Sequence, residues 1–180
     1  MAAMTSTWTV SPEPSDSPAA LALWRAYYTE VSDRWFQVHE GRDTPADELE
    51  REVVASNDHA VLTPPSGVLL LGRHGGEPAG TAGVRLLHDD GAAPEEPGEP
   101  AAELKRVFVR EEARGTGGGP VLLAAAEDAA RALGAATMLL DTRDDLAEAW
   151  SLYERSGYER TAPHNHSAYA ERWYRKRLWA

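Results

Sequence analysis

Cysteine is absent from all 180 residues. That excludes disulfides, thiolate metal sites and a cysteine nucleophile together, and it accords with a reducing cytoplasm. No apolar stretch approaches the roughly 20 residues that cross a bilayer, so no membrane span is expected. The first twenty positions lack a basic segment followed by an apolar run, so no signal peptide is expected either. Positive charge is scarce: 18 basic against 29 acidic residues leave a formal net charge of −11. Such a surface repels phosphate backbones and disfavours nucleic acid as a partner. It tolerates a cationic acceptor such as an amine, although acidic charge also simply aids solubility. Lysine occurs only at Lys105 and Lys176, while arginine and alanine abound.

What is present suffices for one compact domain. With 42% hydrophobic residues the chain can bury an ordinary core. Residues 1–18, with Pro12, Pro14 and Pro18 among serines, read as a frayed segment apart from a short strand at Trp8–Val10, and the domain as 19–180. Leu21, Trp24, Tyr28 and Val31 recur at helical spacing from Pro18 onward. A second helix is expected near Pro45–Ala55, with Thr44 as N-cap and Asp47 and Glu48 in its first turn. Strands Val68–Arg73 and Ala79–Leu87 flank the turn His74 to Pro78, and His88–Pro100, rich in glycine, proline and acid, reads as a mobile loop. The second half alternates: strand Leu104–Val109, helix Pro120–Leu133, strand Thr137–Asp141, helix Asp144–Ser156, then short strands near Tyr158–Thr161 and Ala168–Leu178. This order predicts an α/β layered domain.

The sharpest feature is Arg114-Gly115-Thr116-Gly117-Gly118-Gly119-Pro120 between a strand and a helix. Glycines let the backbone approach a ligand and turn its N–H groups to one point, and the following helix adds the positive end of its dipole. Pro120 suits a first helical position. The construction fits a phosphate or pyrophosphate. A Walker loop would need Lys-Ser or Lys-Thr after its last glycine, and here the residues are apolar. A dinucleotide fingerprint begins at Gly115-Thr116-Gly117 but meets Pro120; Asp141, ending the next strand, keeps that alternative open.

The run Glu103 to Val109 followed by Arg114 to Gly119 resembles the acetyl-CoA motif of the GCN5-related N-acetyltransferase (GNAT) superfamily, Gln/Arg-x-x-Gly-x-Gly/Ala, which Arg114, Gly117 and Gly119 match. Leu152-Tyr153-Glu154-Arg155-Ser156-Gly157-Tyr158 resembles the same superfamily's Leu-Tyr-x-x-x-Gly-Phe/Tyr motif. The resemblance implies a single-domain fold with a mixed, mostly antiparallel sheet of six to seven strands flanked by helices, splayed between the fourth and fifth strands. It implies that acetyl-CoA is the acyl donor, with backbone groups of Val107, Phe108 and Val109 along the pantetheine. Arg114, Gly115, Thr116, Gly117, Gly118, Gly119 and Pro120 would hold the pyrophosphate, and Ala149 and Tyr153 would lie beside the cofactor. No metal is implied. The acceptor, a primary amine and most simply that of a small molecule, would attack the thioester directly.

The resemblance gives Tyr153 the role of protonating the departing thiolate; the alternative is a core aromatic with a satisfied hydroxyl. It gives Glu103 that of base for the amine; the alternative is a solvated loop-end carboxylate. Asp89 and Asp90 are less suited substitutes. Many members carry asparagine where this chain has Leu146. His164, Asn165, His166 and Tyr169 form a polar cluster that either lines the acceptor pocket or makes an exposed hairpin. Tyr27, Tyr28, Trp35 and His39 are further candidate liners. Trp173, Tyr174 and Trp179 either form a homodimer surface or cover the sheet of a monomer. A non-catalytic acyl-CoA sensor, a nucleotide-binding domain and an enzyme acting on a protein N-terminus or lysine are the competing readings.

Overall fold

The computed structural model describes residues 7–55, 59–87 and 99–179. In chain order the elements are β1 (Trp8–Glu13), α1 (Pro18–Glu40), α2 (Ala46–Ala55), β2 (Gly67–His74), β3 (Glu77–Leu87) and β4 (Ala101–Val109). A 3-10 turn at Glu111–Ala113 precedes α3 (Gly118–Ala132), β5 (Thr137–Thr142), α4 (Ala147–Arg155), β6 (Glu159–Thr161) and β7 (Arg172–Arg177). The seven strands form one sheet in the order β1-β2-β3-β4-β5-β7-β6. Every neighbouring pair is antiparallel except β4 with β5.

Local chemistry sets these boundaries. Ser17 caps α1, its hydroxyl accepting from the Ala20 N–H at 3.1 Å with Pro18 behind it, and Gly41 ends the helix at φ 68°. The β2–β3 turn is tighter than the five-residue turn expected, because Gly75 and Gly76 both take positive φ and His74 pairs with Glu77. β1 is longer than the Trp8–Val10 strand expected, pairing with β2 through Glu13.

The sheet sorts its residues by alternation. Leu69 and Leu71 face α1 together with Phe108, packed on Ala20 and Leu23. Leu70, Ala82 and Leu104 face α3, where Leu122, Leu123, Ala126 and Ala130 complete the main core with Tyr153, Tyr158 and Tyr174. α2 buries no residue. It hangs on α1 by the Arg25–Glu50 ion pair and by the Trp24 indole donating to the Val53 carbonyl at 3.3 Å.

Three boundaries differ from the sequence expectation. α3 begins at Gly118, so Pro120 occupies the third helical position and not the first; its missing N–H still costs no hydrogen bond within the first turn. α4 starts at Ala147, because Asp144 is drawn to Arg172 and Asp145 pairs with Arg143 at 2.7 Å. The last strand covers only Arg172–Arg177 and lies between β5 and β6, so it is not a sheet edge. Tyr174 is wholly buried in the monomer's own core, and its hydroxyl donates to Glu154 at 2.7 Å.

Candidate functional site

The parallel pair β4–β5 is short. Ala101, Ala102 and Glu103 pair with Thr137, Met138 and Leu139, and beyond Glu103 the strands part. This is the expected splay. It leaves the edge of β4 from Leu104 onward without a strand partner on that side, and a cavity of about 780 Å³ opens there. The cavity passes from α1 and α2 on one face to Ala149 and Tyr153 of α4 on the other.

A bulge in β4 determines which side chains enter it. Thr81 pairs with Phe108 and Gly83 with Lys105, so β4 carries one more residue than β3 over that stretch. The extra residue is accommodated by Arg106 at φ 55°, its carbonyl accepting from the Thr81 hydroxyl at 2.8 Å. A non-glycine residue in the left-handed region costs about 1–2 kcal/mol. The Arg106 guanidinium lies 3.8 Å from the centre of the Trp24 ring, which helps to offset that cost.

Tyr153 is 6% exposed and lines the cavity. Its ring lies 5.9 Å from Tyr158 and 6.3 Å from Tyr174. Among the described residues its hydroxyl makes no hydrogen bond. Burial, then the proximity of Tyr27 and of the Asp141 carboxylate, pushes its ionisation well above the ordinary tyrosine range, so the phenol keeps its proton at neutral pH.

Glu103 is 5% exposed, which contradicts its reading as a solvated loop end. Its Cα partner across the sheet is Arg85, whose Nε donates to Glu103 Oε2 at 2.6 Å. Asn165 Nδ2 approaches Glu103 Oε1 at 3.4 Å and donates to Asp141 Oδ2 at 2.6 Å. The indole N–H of Trp173 donates to Asn165 Oδ1 at 2.9 Å.

The glycine loop stands at the far end of β4, outside the cavity lining. Gly117 caps α3 at φ 93°, a conformation costly to any other residue, and nothing lies within 4 Å of where its Cβ would be. A Cβ on Gly118 would run into the Trp8 ring. The Trp8 indole donates to Thr116 Oγ1 at 2.8 Å, and that hydroxyl donates to the Ala113 carbonyl at 2.6 Å. The Thr116 side chain is therefore committed within the loop. Arg114 donates from Nε to the Val109 carbonyl at 3.0 Å and from Nη2 to Glu30 at 2.5 Å. Arg34 links Glu30, at 3.2 Å, to Glu148 of α4, at 2.6 Å.

Of the residues singled out in the sequence, Glu103, Val107, Ala149, Tyr153, Asn165 and Tyr169 meet at the cavity, with Tyr27, Tyr28 and Trp35 of α1 and with Leu146. Phe108 packs its ring into the α1 side of the core. His39 stacks on Trp35 at 4.4 Å but is absent from the lining, as are His164, which reaches the Leu140 carbonyl at 3.2 Å, and exposed His166. Asp89 and Asp90 lie outside the described residues. Among the described residues no group of three or more His, Asp or Glu is arranged to hold a metal ion, and no helix is long and apolar enough to cross a membrane. Arg85 and Trp8 were not singled out from the sequence, and Asp141 was singled out only as the acid of a dinucleotide fingerprint. Each depends on register or on contacts across the sheet that no local motif carries.

The model of the acetyltransferase (GNAT) family matches residues 22–158. An uncharacterized N-acetyltransferase of Schizosaccharomyces pombe is 35% identical over 105 residues, which are 58% of this chain and 59% of that protein's length. Among solved structures, yncA of Salmonella typhimurium, determined with its cofactor acetyl-CoA, superposes with a TM-score of 0.61 at 17% identity, over 97% of this chain and 96% of that one. The paiA N-acetyltransferase of Thermoplasma acidophilum, in complex with coenzyme A, gives 0.65 at 14% identity, over 94% and 99%.

Proposed function

The chain belongs to the acetyltransferase (GNAT) family, and we propose that it transfers an acetyl group from acetyl-CoA to the primary amine of a small molecule by direct attack in a ternary complex. The observation that carries this reading is a buried tyrosine, Tyr153, whose hydroxyl has no partner among the described residues and faces a cavity shared with Glu103 at the splay of the sheet.

The residues present fit the donor. Gly115 and Gly117 leave open space on their Cβ sides, the N–H groups of Gly118 and Gly119 are free of intrahelical partners, and the α3 dipole points its positive end at the same spot. Gly115 to Pro120 would hold the pyrophosphate, with Arg114 exchanging its contact with Glu30 for a phosphate oxygen. The open edge of β4 at Val107 to Val109 would receive the pantetheine, beside Ala149 and Leu146. An apolar Leu146 leaves that contact to packing, where many relatives place an amide.

The thioester supplies the acetyl group; the protein orients the reactants and moves protons. Bound as an ammonium, the acceptor loses one proton to become the attacking amine; its nitrogen then forms the new C–N bond as the C–S bond breaks, a further proton passes from nitrogen to solvent, and one is delivered to sulfur. Glu103 takes up the first through water, its carboxylate aimed by the hydrogen bond from Arg85 Nε. Tyr153 Oη supplies the proton delivered to sulfur, and its raised ionisation range means the phenol is protonated when the thiolate departs. The test is amine-dependent release of free thiol from acetyl-CoA by the purified protein, with the acetylated amine identified by mass. Release without an amine product would contradict transfer.

A further inference from the structure

Both carboxylate oxygens of Glu103 already meet protein donors, which leaves each a lone pair for a bridging water. Oε2 receives the Arg85 guanidinium at 2.6 Å, and Oε1 faces Asn165 Nδ2 at 3.4 Å. Asp141, on the opposite wall of the same opening, differs. Its Oδ2 accepts from Asn165 at 2.6 Å, while its Oδ1 makes no hydrogen bond among the described residues. Asp141 lines the cavity with Tyr153, and its charge is felt at that hydroxyl.

Asn165 has only one orientation open to it. An indole N–H only donates, so Trp173, at 2.9 Å, must face the amide oxygen. The Ser167 N–H reaches the same oxygen at 3.3 Å. The amide nitrogen is thereby turned toward the two carboxylates, which only accept. Trp173 thus sets Asn165, and Asn165 sets Asp141.

We infer that Asp141 is the specificity-determining residue for the acceptor: it grips an alkyl primary amine in its ammonium form through Oδ1, with Asn165 as positioning residue. The inference rests on the acetyltransferase reading above. The body of the acceptor lies against the aromatic wall of Trp24, Tyr27 and Trp35, which suits a flat apolar group. A carboxylate–ammonium hydrogen bond is charge-assisted, and it favours a charged ligand over a neutral one of the same shape.

The experiment is a calorimetric titration of CoA-saturated protein with 2-phenylethylamine and with 2-phenylethanol, its uncharged isostere. Wild type binds the amine about tenfold more tightly than the alcohol. Asp141→Asn shrinks that preference to less than about threefold and leaves the alcohol affinity unchanged. Trp173→Phe keeps an aromatic ring there but removes the donor, and it reduces the preference part of the way, again without affecting the alcohol. Equal binding of both ligands by wild type, or of neither, overturns the inference. So does an Asp141→Asn variant that weakens both alike, which would indicate a structural role. A Trp173→Phe variant with full preference overturns the part played by Asn165. Failure of CoA itself to bind is a separate result that counts against the acetyltransferase reading, because none of these side chains belongs to the glycine loop.

Discussion

The indole of Trp8 and the hydroxyl of Thr116 join an edge strand to the glycine loop across 108 positions, at 2.8 Å. The same ring lies where a side chain on Gly118 would have to go. A residue of the sheet edge therefore braces the first turn of α3. Trp8→Phe keeps much of the packing and removes the donor, at a cost of about 1 kcal/mol to loop order. We expect acetyl-CoA to bind about fivefold more weakly with the far-ultraviolet spectrum unchanged; calorimetry checks it.

Gly117 separates two causes of lost binding. At φ 93° any side chain is strained, so Gly117→Ala should destabilise the protein by about 1–2 kcal/mol. Gly117→Glu adds a carboxylate at the anion cradle. It should cost similar stability but abolish acetyl-CoA binding. Paired urea unfolding and calorimetry on the two variants give the comparison.

Tyr153→Phe removes only the hydroxyl from the cavity wall. Acetyl-CoA affinity should stay within about twofold, while the transfer rate falls ~10²–10⁴-fold. Rapid-quench measurement of acetylated amine reads the rate without interference from binding. A variant with full activity would remove this phenol from the chemistry.

The legible parts of this molecule were those carried by local pattern. The glycine loop after a strand, the Leu152-Tyr153 motif and the alternation of strand and helix in the second half each appear in consecutive residues; the strand order, with β7 inside the sheet between β5 and β6, does not. What was not legible depends on register. Arg85 meets Glu103 because β3 and β4 pair as they do across the 88–100 stretch, and Asp141 meets Asn165 across 24 positions. Arg106 at positive φ opposes the intrinsic preference of its residue type, so no propensity argument anticipates the bulge. The start of α4 was misplaced because Asp144 and Asp145 resemble helix-opening acids, yet each is drawn away by an arginine.

The buried phenols set an alkaline limit. Burial pushes both Tyr153 and Tyr158 above the ordinary value of 10, with the Glu127 carboxylate adding to the effect at Tyr158. The folded state keeps these protons where the unfolded chain releases them, so below that value the groups contribute nothing pH-dependent. Above it, stability falls by up to about 1.4 kcal/mol per pH unit for each. Tyr158→Phe should flatten that slope in urea unfolding series between about pH 9 and 11.

If the glycine loop and the splay of the sheet form an acetyl-CoA site, calorimetric titration of the purified protein with acetyl-CoA, ATP and NAD will show it. One acetyl-CoA should bind saturably per chain, and neither nucleotide should bind. No binding of acetyl-CoA, or tighter binding of ATP or NAD, would contradict it.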